Sequence, residues 1–201
     1  MWGIYGLVAL RDGVGCDPAL LQAMAKVSRH RGPDDEGQYV DQGLVMGMRR
    51  LSIIDLNSGH QPIGNTDETI WTVCNGEIYN FREIRQELQR QGVRFRTASD
   101  TEVLVHLYER HGTDFVSRLI GMFGFAIWDA RRRRLVLGRD RFGIKPLYYM
   151  EHQGRLAFAS EIKALLQIPG VARDIDMGAL ESYLSLGYSG NTHSLFKGLH
   201  K

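Results

Sequence analysis

The pattern of apolar and polar positions divides the first half of the chain into short strands and one clear helix. The N-terminal segment is apolar through Leu10 and is interrupted by glycines, which predicts a buried first strand. Asp17-Pro18 combines a capping residue with a proline at the first helical position, and apolar residues then recur at helical spacing, which predicts a helix over about 17–29. Further strand patterns, separated by loop residues, lie at about 37–41, 44–50 and 69–75.

The second half of the chain continues with two helices and then with strands. Amphipathic spacing predicts a helix over about 81–91 that ends at Gly92, and another over about 100–111 that ends at Gly112. The remaining predicted elements are strands over 122–129, 135–140, 147–151 and 156–159, a short helix over 160–166 and a helix over 177–186. Many antiparallel strands with a few segregated helices indicate an α+β fold and not alternating parallel βαβ units.

The composition is that of a globular protein with a substantial core: 201 residues, 43% hydrophobic and 24% charged. The formal net charge of +2 is too small to predict a nucleic acid or an anionic membrane as partner. Cys16 and Cys74 have neither a disulfide framework nor metal-ligand spacing, which favours a reducing compartment. The apolar N-terminus is too short to span a bilayer and lacks the layout of a signal peptide, so we expect a cytoplasmic protein.

The segment Asn75-Gly76-Glu77 directly follows a predicted strand, where we expect the chain to open into a turn. A side-chain amide beside a glycine N–H is a suitable donor pair for stabilising an oxyanion, because glycine lets the backbone approach a ligand closely. The alternative is an ordinary hairpin turn, since Asn-Gly is also a common turn signal.

Two charged residues are further candidates for ligand binding. Arg50 precedes an apolar run and suits bidentate capture of a carboxylate, although a solvated charge at a strand end would give the same pattern. Asp100 stands before Thr101-Glu102 at the start of a predicted helix, where local sequence favours an N-cap. A capping carboxylate keeps a second oxygen available, so capping and ligand binding are compatible.

Several segments, taken in their order and spacing, resemble the glutaminase domain of class II glutamine amidotransferases, most closely the asparagine synthetase branch. These segments are Met1-Trp2-Gly3-Ile4-Tyr5-Gly6, Arg29-His30-Arg31-Gly32-Pro33-Asp34, Arg50-Leu51-Ser52-Ile53-Ile54-Asp55 and Asn75-Gly76-Glu77-Ile78-Tyr79-Asn80. The resemblance implies the four-layer αββα sandwich of N-terminal-nucleophile hydrolases, with two stacked antiparallel sheets, over about residues 1–170. Residues 171–201 then resemble a linker-like tail leading toward a synthetase domain outside this chain.

The resemblance also implies roles for individual residues. Asn75 and Gly76 would form the oxyanion hole, Arg50 would hold the carboxylate of glutamine, and Asp100, helped by Glu77, would hold its ammonium group. The full set of implied glutamine-binding residues is Arg50, Leu51, Ser52, Ile53, Ile54, Asn75, Gly76, Glu77 and Asp100. The implied partners are glutamine and a synthetase domain in cis or in trans, with a homodimer left open. No cofactor or metal is expected on this chain, because ATP and magnesium would belong to the synthetase domain.

Trp2 departs from the family pattern, which begins Met-Cys-Gly-Ile and uses the cysteine as nucleophile once the methionine is removed. An indole nitrogen only donates hydrogen bonds and supplies neither a thiolate nor a base. Methionine aminopeptidases act before small residues, so Met1 is expected to remain and to displace the α-amine. The bulk of the indole is also expected to occlude the glutamine carboxamide.

The sequence therefore predicts a glutamine amidotransferase domain that is catalytically impaired. The alternatives are a non-catalytic glutamine-binding module and a scaffold domain that docks on an ATP-dependent synthetase. Neither cysteine is expected to replace the missing nucleophile. Cys74 should point away from the face that carries Asn75, because side chains alternate along a strand, and nothing in the sequence brings Cys16 to the site.

Overall fold

The computed structural model describes residues 2–51, 59–189 and 192–201, and its strands form two antiparallel sheets. The first sheet has the strand order β2-β3-β1-β9-β8, and the second has the order β4-β5-β6-β7. The strands are β1 (Gly3–Ala9), β2 (Asp35–Asp41), β3 (Leu44–Arg50), β4 (Ile63–Gly64), β5 (Ile70–Ile78), β6 (Gly121–Asp129), β7 (Arg134–Arg139), β8 (Tyr148–His152) and β9 (Arg155–Ala159).

The helices begin and end close to where the sequence predicts them. They are α1 (Pro18–Val27), α2 (Phe81–Arg90), α3 (Glu102–His111), α4 (Ile162–Leu165) and α5 (Met177–Leu186), with 3₁₀ turns at Arg29–Arg31 and Gly112–Arg118. The start of α1 confirms the predicted cap, because the Asp17 carboxylate accepts from the Ala19 N–H over 2.8 Å and Pro18 opens the helix.

Separate apolar clusters show that the two sheets and the helices form four layers. One cluster joins α2 and α3 to the second sheet, another joins α1 and α4 to the first sheet, and a third lies between the sheets. Members of the inter-sheet cluster include Trp2, Ile4, Val8, Met46, Met48, Val73, Trp128 and Phe158. The predicted α+β class and αββα sandwich are therefore confirmed.

The register of the strands decides which residues meet at one end of this sandwich. Gly3 pairs with Arg49, so the residue before β1 lies beside the last residue of β3. Along β3, Met46 and Met48 face the second sheet, and alternation places Arg50 on the same inner face. In the second sheet Val73 faces inward, which places Asn75 on the inner face of β5.

The structure corrects the predicted end of one strand. β5 continues through Ile78, and the segment Asn75–Glu77 stays paired with β6, with Asn75 opposite Gly124 and Gly76 opposite Phe123. The expected opening into a turn after Cys74 is wrong, and so is the hairpin-turn alternative. The pairing partner lies about fifty residues away in the chain, beyond the reach of local turn signals.

The last residues of the chain pack against the first sheet. The backbone groups of His200 exchange hydrogen bonds of 2.9 and 3.0 Å with those of Tyr149 in β8, and Leu199 is buried beneath them. The boundary near residue 170 stays a prediction. Within the part of the chain that the structure describes, no helix combines the length and the apolar character needed to cross a membrane.

Candidate functional site

Trp2 lies at the start of β1 between the two sheets, with 7% of its surface exposed. Its backbone N–H donates to the Asn75 Oδ1 over 3.2 Å, and its indole Nε1 donates to the Leu51 carbonyl over 2.6 Å. The structure thus brings together Trp2, Leu51 and Asn75, three residues of the predicted site. The indole fills the space next to two residues that the sequence assigns to glutamine.

Only one of the two polar atoms of the Asn75 side-chain amide has a hydrogen-bond partner among the described residues. Its oxygen accepts from Trp2, but among the residues that the structure describes its Nδ2 has no hydrogen-bond partner, although Asn75 is only 1% exposed. A buried donor without a partner costs about 1–3 kcal/mol, so native proteins rarely keep one without a ligand or a solvent molecule in reach. This N–H₂ group is therefore a candidate donor toward a ligand.

A second candidate donor is the backbone N–H of Gly76. On the same edge of β5, the Cys74 N–H donates to the Gln61 Oε1 over 2.7 Å and the Ile78 N–H donates to the Asp100 Oδ2 over 2.8 Å. Alternation along a strand points the N–H of Gly76, midway between them, to this edge as well. Within the described ranges, no side chain or loop carbonyl accepts from it. Gly76 N–H and Asn75 Nδ2 thus form an adjacent pair of donors.

Gly76 is required here for a reason that the sequence did not indicate. Its φ of +144° lies in a region that residues with a side chain rarely adopt, and an added Cβ would stand 2.0 Å from the Met122 carbonyl oxygen. The glycine therefore allows close approach of β5 to β6.

Asp100 is 5% exposed, and its carboxylate is joined to β5 by a hydrogen bond. The predicted N-cap is wrong, because α3 begins at Glu102 after Thr101 and the Asp100 carboxylate instead accepts from Ile78. Burial raises the pKa of Asp100 above its ordinary value, backbone hydrogen bonds from Ile78 and Thr101 oppose this, and the charge of Glu77 adds to it. A cation beside these carboxylates would relieve the cost of ionising Asp100.

Arg50 is buried at the end of β3 on the inner face of the first sheet. Its neighbour Arg49 faces the other way, where it pairs with Glu36 and donates to the Gly32 carbonyl. The solvated strand-end charge considered for Arg50 is therefore wrong, and a buried guanidinium remains at the end of the sandwich where Trp2 lies. Ser52, Ile53 and Ile54, the other predicted backbone contacts, lie outside the described residues.

Two contributors to the site were missed by the sequence analysis. Arg31 is 6% exposed and its Nε donates to the Trp2 carbonyl over 2.8 Å, so it holds the main chain of position 2. Gln61 joins β5 to the turn before α3, since its Nε2 donates to the Thr101 Oγ1 over 3.2 Å while its Oε1 accepts from Cys74. Arg31 stands in one of the segments that carry the family resemblance, whereas no local signal marks Gln61.

The cysteines lie away from these groups. Cys74 is buried in the cluster under α2 and α3, on the opposite face of β5 from Asn75, as alternation predicts. Burial is the largest cause that raises the pKa of the Cys74 thiol well above its ordinary value. Cys16 contacts the Gly43 carbonyl beside the far end of β1, about 20 Å along the strand from Trp2 at the rise of an extended chain. Neither thiol is placed to replace a nucleophile at position 2.

The sequence of this chain matches a known protein family. Residues 1–201 match the sequence model of the glutamine amidotransferase domain. The chain belongs to this family. Among the described residues of this amidotransferase domain, no group of three or more His, Cys, Asp or Glu side chains is arranged to hold a metal ion.

Curated relatives of this amidotransferase domain are much longer proteins. Asparagine synthetase [glutamine-hydrolyzing] 2 of Bacillus subtilis strain 168 is 47% identical over 174 residues, which cover 87% of this chain and 23% of that protein. A putative asparagine synthetase [glutamine-hydrolyzing] of Mycobacterium bovis is 39% identical over 219 aligned positions, covering 100% of this chain and 34% of that protein. The chain thus spans about a quarter to a third of the length of these relatives.

Solved structures share the fold at low sequence identity. Glutamine phosphoribosylpyrophosphate amidotransferase of B. subtilis, solved with ADP and GMP, superposes with a TM-score of 0.69 at 21% identity, covering 88% of this chain and 46% of that chain. A structure described as the allosteric regulatory enzyme of purine biosynthesis gives a TM-score of 0.67, also at 21% identity, covering 82% of this chain and 43% of that one. These likenesses support the sandwich fold of this amidotransferase domain.

Proposed function

We propose that this chain is the glutamine amidotransferase domain of an asparagine synthetase-like protein, in which Trp2 occupies the nucleophile position and prevents hydrolysis of glutamine. The observation that carries the proposal is the position of residue 2 against Asn75. Its N–H lies 3.2 Å from the Asn75 Oδ1, while Asn75 Nδ2 stays buried without a partner among the described residues. The relatives whose names include glutamine hydrolysis support the choice of substrate.

The proposed receptor has a place for each end of a zwitterionic amino acid. The buried Arg50 guanidinium would bind the carboxylate, and the neighbouring carboxylates of Asp100 and Glu77 would bind the ammonium group. Asn75 Nδ2 and the Gly76 N–H would face the carboxamide oxygen, where donors stabilise the negative charge of a tetrahedral intermediate. A thiolate at position 2 would then attack the carboxamide carbon, ammonia would leave, and water would hydrolyse the thioester.

Trp2 removes the first of these steps and obstructs binding. An indole has no nucleophilic atom for acyl transfer at neutral pH, and its N–H only donates. That N–H is bonded to the Leu51 carbonyl, so the ring lies within the proposed receptor. The alternative functions, a glutamine-binding module without chemistry and a scaffold that docks on a synthetase, differ in whether glutamine still enters.

The proposal is tested by restoring the nucleophile. In a Trp2→Cys variant whose Met1 removal is verified by mass, an electrophilic glutamine analogue should add once per chain at residue 2, and glutaminase turnover should appear. The unchanged protein should show neither. Adding Asn75→Ala to Trp2→Cys should slow adduct formation about a hundredfold, because one oxyanion donor is lost. A folded, processed Trp2→Cys variant without adduct would contradict the site assignment.

Calorimetry separates the alternatives. A Trp2→Ala variant that binds glutamine, with the unchanged protein binding weakly or not at all, supports a receptor that the indole obstructs. Binding of equal strength in both proteins supports a glutamine-binding module that tolerates Trp2. Absence of binding in both proteins, each verified as folded, leaves the scaffold role as the better account. Localisation in the cytoplasm stays a prediction.

A further inference from the structure

A line of polar contacts runs from Glu161, just after β9, to the main chain of Trp2. The Glu161 Oε1 accepts from the Arg31 Nη1 over 2.7 Å, and the Nε of the same guanidinium donates to the Trp2 carbonyl over 2.8 Å. Since Arg31 is largely removed from water, these charge-assisted bonds are stronger than they would be at the surface. The position of residue 2 is therefore linked to a carboxylate far along the chain.

Glu161 is itself held by neighbouring cations. Its Oε1 also lies 3.0 Å from the His30 Nε2, and its Oε2 lies 3.0 Å from the Lys163 Nζ. Burial acts to raise the pKa of Glu161, but hydrogen bonds from Arg31, His30 and Lys163 outweigh it and lower the pKa to about 2. The carboxylate thus stays ionised throughout the neutral range, and its ion pair with Arg31 orients the guanidinium.

The backbone on both sides is shaped for this arrangement. Ser160 N–H donates to the Ile4 carbonyl over 2.8 Å, and the Ile4 N–H donates to the Ser160 hydroxyl over 3.0 Å, so residues 160–161 are fixed alongside the start of β1. Gly3 leaves the space that Arg31 occupies, since an added Cβ would stand 3.2 Å from the Arg31 Cδ. Arg31 consequently lies across the main chain of residues 2 and 3.

We propose that Glu161 is a positioning residue: by orienting Arg31 against the carbonyl of residue 2, it sets where that residue stands relative to Asn75. Its effect on reactivity rests on the proposed function, whereas its effect on Trp2 does not. Residue 2 lies just before the first strand, and side chains hold its backbone. Asn75 accepts from its N–H, and Arg31 donates to its carbonyl. Loss of the Glu161 charge removes one constraint on the Arg31 side chain. The backbone of residue 2 should then also be held less firmly.

Hydrogen exchange in the otherwise unchanged protein tests the structural part. Trp2, Trp71 and Trp128 each have an indole N–H with a distinct partner, so their NMR signals report three separate places. Glu161→Gln should speed exchange of the Trp2 indole and amide N–H about tenfold and leave the Trp128 indole unchanged, as expected for local opening. Lys163→Gln, which removes a contact of Glu161 but not of Arg31, should leave the exchange rates unchanged. Equal acceleration at Trp2 and Trp128, or none at Trp2, would overturn the inference.

Kinetics test the consequence for reactivity in the Trp2→Cys background. Glu161→Ala should lower the maximal rate of adduct formation at least about tenfold, because misplacement of the nucleophile slows attack. The half-saturating analogue concentration should stay unchanged, and added acetate should restore part of the rate by replacing the carboxylate. An unchanged maximal rate, or equal effects on rate and half-saturation without rescue, would refute the positioning role. If Trp2→Cys alone forms no adduct, the proposed function fails while the exchange experiment still decides the role of Glu161.

Discussion

The Ile78 N–H donates to the Asp100 carboxylate over 2.8 Å, and this bond fastens the turn before α3 to the edge of β5. Gly76 stands two residues earlier on that edge, with its N–H directed to the same side. The Oδ2 atom is therefore used by the fold, and the proposed ammonium contact depends on Oδ1, which lies 3.5 Å from the Ser99 hydroxyl. The stability of the turn and the binding of ligand should consequently respond differently to changes at Asp100.

Asp100→Asn should weaken glutamine binding without destabilising the protein. The amide keeps an acceptor for Ile78 but loses the charge. An acid whose pKa is raised by burial stabilises the folded protein most below its ordinary pKa. That contribution is lost as pH rises through the pKa of the folded state. At neutral pH the neutral amide should thus leave the free energy of unfolding unchanged or higher. Glutamine affinity, measured by calorimetry in the Trp2→Ala background, should fall at least about tenfold.

The matched control for this substitution is Asp114→Asn, which removes a charge from an exposed position on the 3₁₀ turn after α3. It should change neither binding nor stability. Unchanged glutamine affinity in Asp100→Asn would argue against the ammonium contact. A large fall in the denaturation midpoint would mean that the ionised form stabilises the turn.

Gly76→Ala should destabilise the fold strongly. The new Cβ meets the Met122 carbonyl and the backbone conformation is unfavourable for alanine, so we expect a loss of about 3 kcal/mol or more in the free energy of unfolding. Urea denaturation of the unchanged protein, of Gly76→Ala and of a control variant measures this loss. Gly15→Ala is the control, because no atom lies within 4 Å of its added Cβ. A loss below about 1 kcal/mol would show that β5 and β6 separate easily at this point.

Native Cys74 should resist thiol reagents. Its side chain is buried under α2 and α3 and its thiol pKa is raised, so little thiolate is accessible. Cys16 is partly exposed with a thiol pKa that burial also raises, so it should react slowly. Titration with a chromogenic disulfide before and after denaturation, using Cys16→Ser and Cys74→Ser for assignment, measures both. Rapid reaction of Cys74 in the native protein would reopen it as a nucleophile.

Acid should lower the free energy of unfolding by protonating Glu161. A carboxyl group with a lowered pKa contributes stability that is complete above its ordinary pKa of 4.5 and is lost as pH falls toward about 2. Allowing for its partial exposure, we expect Glu161→Gln to cost roughly 2 kcal/mol at pH 6 and almost nothing at pH 2. Urea denaturation across this range gives the difference between the two proteins. A difference that stays constant with pH would exclude the ion pairs as its source.

Local sequence patterns were sufficient for much of the fold. Asp17-Pro18 fixed the start of α1 correctly, and side-chain alternation placed Cys74 and Asn75 on opposite faces of β5. These features depend on neighbours in the chain. The order of the four layers was also predicted correctly. That prediction came from the resemblance of several segments to the amidotransferase family and not from any single motif.

The predictions were wrong where contacts with residues distant in the chain overrode the preference of the local sequence. Asn75-Gly76 has the composition of a turn, but pairing with β6 keeps it extended. Asp100 has the position of a helix cap, but Ile78 in the neighbouring sheet takes its carboxylate. The contact between Arg31 and Glu161 spans 130 residues, which no periodicity or spacing reports.

The hydrogen bond between Trp2 and Asn75 joins the start of β1 in one sheet to β5 in the other. Apolar side chains of both sheets, among them Met48 and Val73, pack in the layer around this bond. Any conservative substitution in the layer between them that shifts one sheet along the other would alter the spacing at position 2. Enlarging or shrinking Met48 or Val73 is thus a means of tuning this end of the molecule without touching its polar groups.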